Sequence, residues 1–296
     1  MDNISAFLCY LKAEKNLSSH TITAYRKDIH DFEAYCVQSY QLCTLTDVRY
    51  HMVRDFIVSL SKKGLSFRSI NRKCAALNSF YAYLLTIGQV ASHPLEQHKS
   101  LKAKKAFIVP FEIREVEKVL LTIDKSTFSG LRDALVIELL YTTGMRQSEL
   151  IGLKITDVDW AQQQLRVLGK RNKERLVPVL ASVLETLKTY CIQRNAITEA
   201  TTHNLLLVTN KGKKTYPTFV YRLIKSYFRG VSSKIRTSPH VLRHSFATHM
   251  LDAGADINVV KEILGHESLA ATQEYTKIQL PKVQDAYRTA HPRAKK

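Results

Sequence analysis

From Ile4 to Leu84 apolar side chains return every three or four residues, and nothing else in this chain narrows its possible folds as far. That spacing is the helical period, which lays an apolar stripe along one side of a helix. Ile4, Phe7, Leu8 and Leu11 form a first stripe, and Ile22, Tyr25, Ile29, Phe32 and Tyr35 a second. Val53, Phe56, Ile57 and Leu60 form a third; Ile70, Cys74, Leu77, Phe80, Tyr81 and Leu84 form a fourth. Capping residues stand where such helices would start, with Ser18 or Ser19 before the second, Thr46 before the third and Ser66 before the fourth. Gly64 and Gly88 stand where the last two would stop. Four helices of this length close into a small bundle.

Past Gly88 the period fails. SHPLEQHKSLKAKKAFIVP, residues 92–110, carries a proline near each end and a lysine run, and it reads as a solvated linker. A chain of 296 residues is long enough for two cores. The expected organisation is therefore a helical domain over 1–88, a linker over 89–106 and a second domain over 107–296. In that second part, helical patterns surround Val116–Leu121 and Leu131–Tyr141. The alternating runs Gln164–Leu168 and Leu176–Leu180 then flank a polar turn and read as a β-hairpin. The fold class that follows is mainly α with a small antiparallel sheet.

Charge decides the kind of partner. Lys and Arg number 44 against 26 Asp and Glu, for a net charge of +18. The excess is spread over both parts, +7 up to residue 105 and +11 beyond it, so this is no basic tail on a neutral protein. Such a surplus favours a polyanion, nucleic acid or an acidic membrane surface. No apolar run approaches the roughly eighteen residues of a membrane span, and no secretory leader is evident. Cys9, Cys36, Cys43, Cys74 and Cys191 have no C-x-x-C spacing and read as reduced thiols. A cytoplasmic protein without a membrane association is expected.

The stretch HVLRHSFATHM, His240–Met250, concentrates the chemistry. Ser238 and Pro239 suit a helix start, and Gly254 suits its end. His240 and Arg243 then share one face near the N-terminal end, where free N–H groups and the helix dipole attract anions. His240 and His244 have the spacing of a zinc-binding helix, but the Glu of H-E-x-x-H is replaced by Val241, and Arg243 between them would repel a cation. No metal is expected. Histidines that merely cap and pack remain an alternative, but an arginine fork fits phosphate oxygens better. Three further segments add to this set. TTGMRQSEL places Arg146 after a glycine helix stop, with Glu149 three residues on to orient it; LGKRNKERLVP places Lys170 at the mouth of the hairpin; GHESLAATQEY carries His266 and Tyr275, with Ser268 as a cap.

In that order these motifs resemble the tyrosine recombinases of the phage integrase family, and within them the Xer-type chromosome-dimer resolvases. SSHTITAYRKDIHDF resembles the family's core-binding domain, so the likeness spans nearly the whole chain. Arg171 departs from it, standing where many relatives have glycine. The resemblance implies a four-helix, SAM-like core-binding domain followed by a mostly helical catalytic domain. It implies Tyr275 as the nucleophile that forms a 3′-phosphotyrosine link, needing neither ATP nor metal nor other cofactor. Arg146, Arg243 and His266 would stabilise the phosphorane-like transition state, His240 would accept the tyrosine proton, Lys170 would protonate the leaving 5′-oxygen, and Glu149 would support the arginines. The implied partners are a double-stranded recombination site, a homo- or heterotetramer with a related recombinase, and a septal DNA translocase. An integrase of a phage, plasmid or transposon is the other biology such a chain can serve. A type IB topoisomerase would share the chemistry without strand exchange between duplexes.

The tail from Gln279 carries Val283, Ala286, Tyr287 and Ala290 at helical spacing after Pro281, which is expected to break the chain. So short an apolar stripe has to be buried. Either its own domain covers it or, as the resemblance implies, a neighbouring protomer does.

Overall fold

The computed structural model describes residues 2–42, 44–102, 108–169, 173–232, 237–265 and 280–294. Cys43, Lys170, Arg171, His266, Ser268 and Tyr275 lie outside the described residues. The chain divides into two compact units, Met1–Ala106 and Phe107–Lys296.

The first unit contains α1 (Asn3–Ala13), α2 (Ser19–Tyr40), α3 (Tyr50–Lys62) and α4 (Phe67–Thr86). Ser18 caps α2 by accepting from the Thr21 N–H at 3.2 Å, and Ser66 caps α4 by accepting from Ser69 at 3.3 Å. The stripes meet in one core in which Phe7, Phe32, Phe80 and Tyr81 lose all exposure. Each such side chain contributes about 1.5–3 kcal/mol by leaving water. The third helix starts later than its sequence signal. Thr46 falls in a 3₁₀ turn, Leu45–Asp47, closed by the Thr44 hydroxyl on the Asp47 carboxylate at 3.0 Å. Val48 then follows in extended conformation and is buried, so α3 cannot begin before Tyr50. Beyond α4 the chain stays on this unit as far as Leu101. Leu95 is buried, and Asn71 both donates to the Leu101 carbonyl at 2.8 Å and accepts from its N–H at 2.9 Å.

The second unit is built around α6 (Phe128–Thr143), in which every side chain from Ala134 to Thr143 is buried. A helix apolar on all sides must be central. Packed on or near it are α5 (Ile113–Thr122), α7 (Gln147–Gly152), α8 (Ala181–Asn195), α9 (Thr198–Thr201), α10 (Pro217–Arg229), α11 (Pro239–Asp252), α12 (Ile257–Leu264) and α13 (Leu280–Ala290). Gly144 ends α6 with φ +60°, and a Cβ there would lie 2.4 Å from the Phe246 ring. Only glycine allows both that turn and the approach of α11.

Beside the helices lies a three-stranded antiparallel sheet among the described residues, β1 (Val158–Asp159), β2 (Gln164–Leu168) and β3 (Glu174–Pro178), in that order. The first of the two expected runs matches β2. The second is shifted two residues toward the turn, because Leu168 pairs with Glu174 and Gln164 with Pro178, and Leu180 is drawn off to start α8. Among the described thiols, Cys9, Cys36, Cys74 and Cys191 are free. No helix among the described residues is long and apolar enough to cross a membrane.

The tail forms α13, and Pro281 sits in its first turn, where no N–H is needed, so it starts this helix rather than breaking the chain. Val283, Tyr287 and Ala290 are buried in the core of their own unit, and the Tyr287 hydroxyl donates to the Thr142 carbonyl at 3.0 Å. In the single chain the apolar stripe is thus covered in cis.

Candidate active site

α11 answers for its own sequence. Pro239 opens it, Val241, Leu242, Phe246 and Met250 are buried, and Gly254 turns the chain away with φ +87°. Ser245 holds it in place by accepting from the Phe111 N–H at 2.8 Å and donating to the Val241 carbonyl. His249 faces inward and pairs with the Tyr141 hydroxyl at 2.8 Å, a packing role. His244 is half-buried, and His240 stays exposed on the first turn.

Arg243 is almost wholly buried at 6% exposure, yet its guanidinium donates to two carbonyls, Gly144 at 2.7 Å and Leu264 at 2.8 Å. Both carbonyls end helices, α6 and α12, where no intrahelical N–H remains to satisfy them and the dipole is negative. Burial, together with the neighbouring Arg146 and Arg175 cations, draws the Arg243 pKa down to about 10, so it remains charged at neutral pH. The geometry buries a cation without a carboxylate of its own.

Arg146 stands at the N-cap of α7, just past the Gly144 turn. Its guanidinium donates to Glu149 at 2.8 Å and to the Gly265 carbonyl at 3.3 Å, and it remains 42% exposed by side chain, accessible to a ligand. Glu149, the residue expected to orient it, lies within hydrogen-bond distance. Glu149 is buried and takes four hydrogen bonds, two on each oxygen: from the Arg146 N–H and guanidinium, and from both terminal nitrogens of Arg175. Burial pushes its carboxyl up, but the Arg175 and Arg146 bonds outweigh it and leave the pKa below the ordinary carboxylate value. Charge-assisted bonds of this kind contribute roughly 1.5–3 kcal/mol each.

Arg175 was not among the residues singled out in the sequence. A signal for it exists: Val177 is buried, and two residues back along an alternating strand Arg175 points the same way. It pairs in register with Val167, which has no exposure. An arginine on the inward face of a hairpin needs a buried partner, and here that partner is Glu149.

His240 has its pKa lowered, first by desolvation and then by the Arg243 and His244 charges, so its neutral form prevails at pH 7. A neutral imidazole beside the Arg243 guanidinium can accept a proton while that cation holds an anion. Arg146, Glu149, Arg243 and His240 are thus gathered on α7 and α11, while the positions of Lys170, His266 and Tyr275 lie outside the described residues. Among the described residues, no three or more His, Cys, Asp or Glu side chains are grouped to hold a metal ion.

The sequence profile of the Phage integrase family matches residues 110–280, and that of the Phage integrase N-terminal SAM-like domain matches residues 4–88. Tyrosine recombinase XerC of Pelobacter propionicus is 35% identical over 100% of this chain and 97% of its own length. Tyrosine recombinase XerD of Staphylococcus haemolyticus is 34% identical over 98% of this chain and 99% of its own. Among solved structures, XerH site-specific recombinase bound to its difH substrate in a pre-cleavage complex superposes with a TM-score of 0.68 at 26% identity. That match covers 94% of this chain and 83% of the XerH chain.

Proposed function

This chain belongs to the phage integrase family and is a site-specific tyrosine recombinase of Xer type; from that premise we propose how its residues cut and rejoin DNA. The phenolic oxygen of Tyr275 attacks the scissile phosphorus, and the bond from phosphorus to the 5′-oxygen breaks. The product is a 3′-phosphotyrosine and a free 5′-hydroxyl. His240 takes the phenolic proton, and Lys170 supplies a proton to the leaving oxygen. Arg146, Arg243 and His266 hold the non-bridging oxygens, where charge gathers in the transition state. The energy of the phosphodiester stays in the phosphotyrosine bond, so rejoining needs no ATP.

The observation that carries this reading is the pair of guanidinium groups on adjacent carbonyls, Arg243 on Leu264 and Arg146 on Gly265, at the end of one helix. Two cations so placed form an anion site without a cofactor. The domain roles follow: residues 1–88 grip the recombination site as the core-binding domain, 89–106 link, and 107–296 carry the chemistry. The partners are duplex DNA, a tetramer with a second recombinase subunit, and a septal translocase. In that tetramer α13 leaves its seat to dock on a neighbour. The setting is the cytoplasm, and the task is resolving chromosome dimers at cell division.

The test is covalent capture. Incubated with genomic DNA fragments, the wild-type chain should become attached to a small set of sequences recoverable after denaturation, and Tyr275→Phe should bind DNA without attachment. Attachment that survives in Tyr275→Phe would reassign the nucleophile.

A further inference from the structure

Three consecutive carbonyls at the end of α12 each receive an arginine. Arg175 donates from Nε to Ile263 at 2.8 Å, Arg243 to Leu264 at 2.8 Å, and Arg146 to Gly265 at 3.3 Å. Arg146 and Arg243 come from the segments that hold the phosphate grip. Arg175 comes from β3, the strand that leads out of the hairpin turn where Lys170 lies in sequence.

The Arg175 guanidinium is divided between two duties. Its terminal nitrogens fork onto Glu149 at 3.1 and 2.8 Å, while Nε holds the α12 carbonyl. Glu149 in turn gives each oxygen one bond from Arg175 and one from Arg146. Without the fork, a buried carboxylate would lose half its donors and be free to rotate away from Arg146. The fit leaves little slack. A Cβ on Gly265, which has φ +63°, would lie 3.1 Å from the Arg175 Nη1 and 3.2 Å from its Cδ. Lysine has the charge but a single nitrogen in place of the planar fork, so it cannot engage both carboxylate oxygens in parallel while also holding the carbonyl.

We infer that Arg175 is a positioning residue for strand cleavage: through Glu149 it aims Arg146 at the scissile phosphate, and through Ile263 it locks the hairpin to the helix end that leads to His266. It touches no substrate atom. The inference rests on the proposed phosphotyrosine chemistry, and its test separates the two.

The experiment uses the full-length chain and a nicked suicide duplex containing a site recovered by covalent capture. Gel shift gives the dissociation constant, and single-turnover covalent attachment at saturating DNA gives the rate. Attachment by the wild type and none by Tyr275→Phe establish the chemistry independently of Arg175. Arg175→Met is then expected to slow attachment by about 10–100-fold, the usual cost of losing an orienting partner, with the dissociation constant within about threefold. Arg175→Lys, which keeps stem and charge, should fold like the wild type and still be slowed at least about fivefold. The decisive arm is the Glu149→Gln background. There Arg175→Met should cost no more than about twofold, because a residue acting through Glu149 has little left to position. An unchanged rate in Arg175→Lys and Arg175→Met, the same fold loss in both backgrounds, or a loss confined to DNA affinity would each overturn the inference.

Discussion

Each unit of this protein buries a carboxylate among cations, and the two clusters are balanced differently. In the first unit Asp28 has no exposure and accepts from Arg72 and from Lys73, which also reaches Asp31 at 2.6 Å. Two acids meet two bases, and the tie between α2 and α4 is neutral. In the second unit Glu149 is the one carboxylate, among the described residues, that these guanidinium groups engage, against Arg146, Arg175 and Arg243. The surplus positive charge there rests on helix-end carbonyls, whose partial charges steady the arginines without neutralising them. A balanced cluster staples a fold. An unbalanced one of similar parts leaves positive charge free to attract an anion, and in the proposed chemistry the phosphate of the substrate completes it.

Three measurements press on that contrast, the largest effect first. Asp28→Ala strands two cations beside one remaining acid and should cost about 3–5 kcal/mol, since breaking a buried pair exposes its partner to an unpaid desolvation penalty. Amide exchange across α2 and α4 would report it, while attachment at saturating DNA should proceed near the wild-type rate. A chemical rate that falls with stability would erase the distinction between the clusters. Arg243→Lys should do the opposite. A lost transition-state donor slows attachment by roughly 10²–10³-fold, or about 2.7–4 kcal/mol, with little change in DNA affinity. An equal loss in affinity would mean that Arg243 binds the ground state as firmly as the transition state.

The smallest effect is in pH. Desolvation first, and then the Arg243 and His244 charges, depress His240 below the ordinary imidazole value of 6.5. A lowered pKa favours the neutral form, so the base survives until the pH drops beneath that lowered value. The acid limb of the attachment rate should therefore fall below pH 6.5, and Arg243→Lys, which keeps a charge nearby, should move it little. The linked stability has the matching sign. An unfolded chain would bind the His240 proton more readily, so folding is weakened as the pH falls through 6.5. A limb at or above 6.5 would point to a different proton acceptor.

Much of the first unit was legible because its signals are local. The four stripes, the Ser18 and Ser66 caps and the Gly64 turn act within one or two helical turns. The later start of α3 was not, because it turns on Val48 entering a core assembled from distant helices. In the second unit, the Gly144 stop, the Arg146 N-cap, its Glu149 partner and the extent of α11 were also readable, each lying within a few residues of its cause. The short strand Val158–Asp159 gave no usable pattern in two residues, and exists only because β2 offers it an edge.

What the amino-acid order determined by itself was the sequence of helices, the hairpin and which cations and imidazoles the chain carries for the proposed chemistry. Tertiary structure alone decided which of those groups meet and what holds them. Arg175 reaches Ile263 across 88 residues, Arg243 reaches Gly144 across 99, and Arg146 reaches Gly265 across 119. It also decided that α13 covers its stripe on its own unit, against Thr142, which lies 145 residues away. A helical period constrains neighbours three or four residues apart, whereas a buried guanidinium is satisfied by whichever carbonyls the closed core brings within 3 Å or so of it.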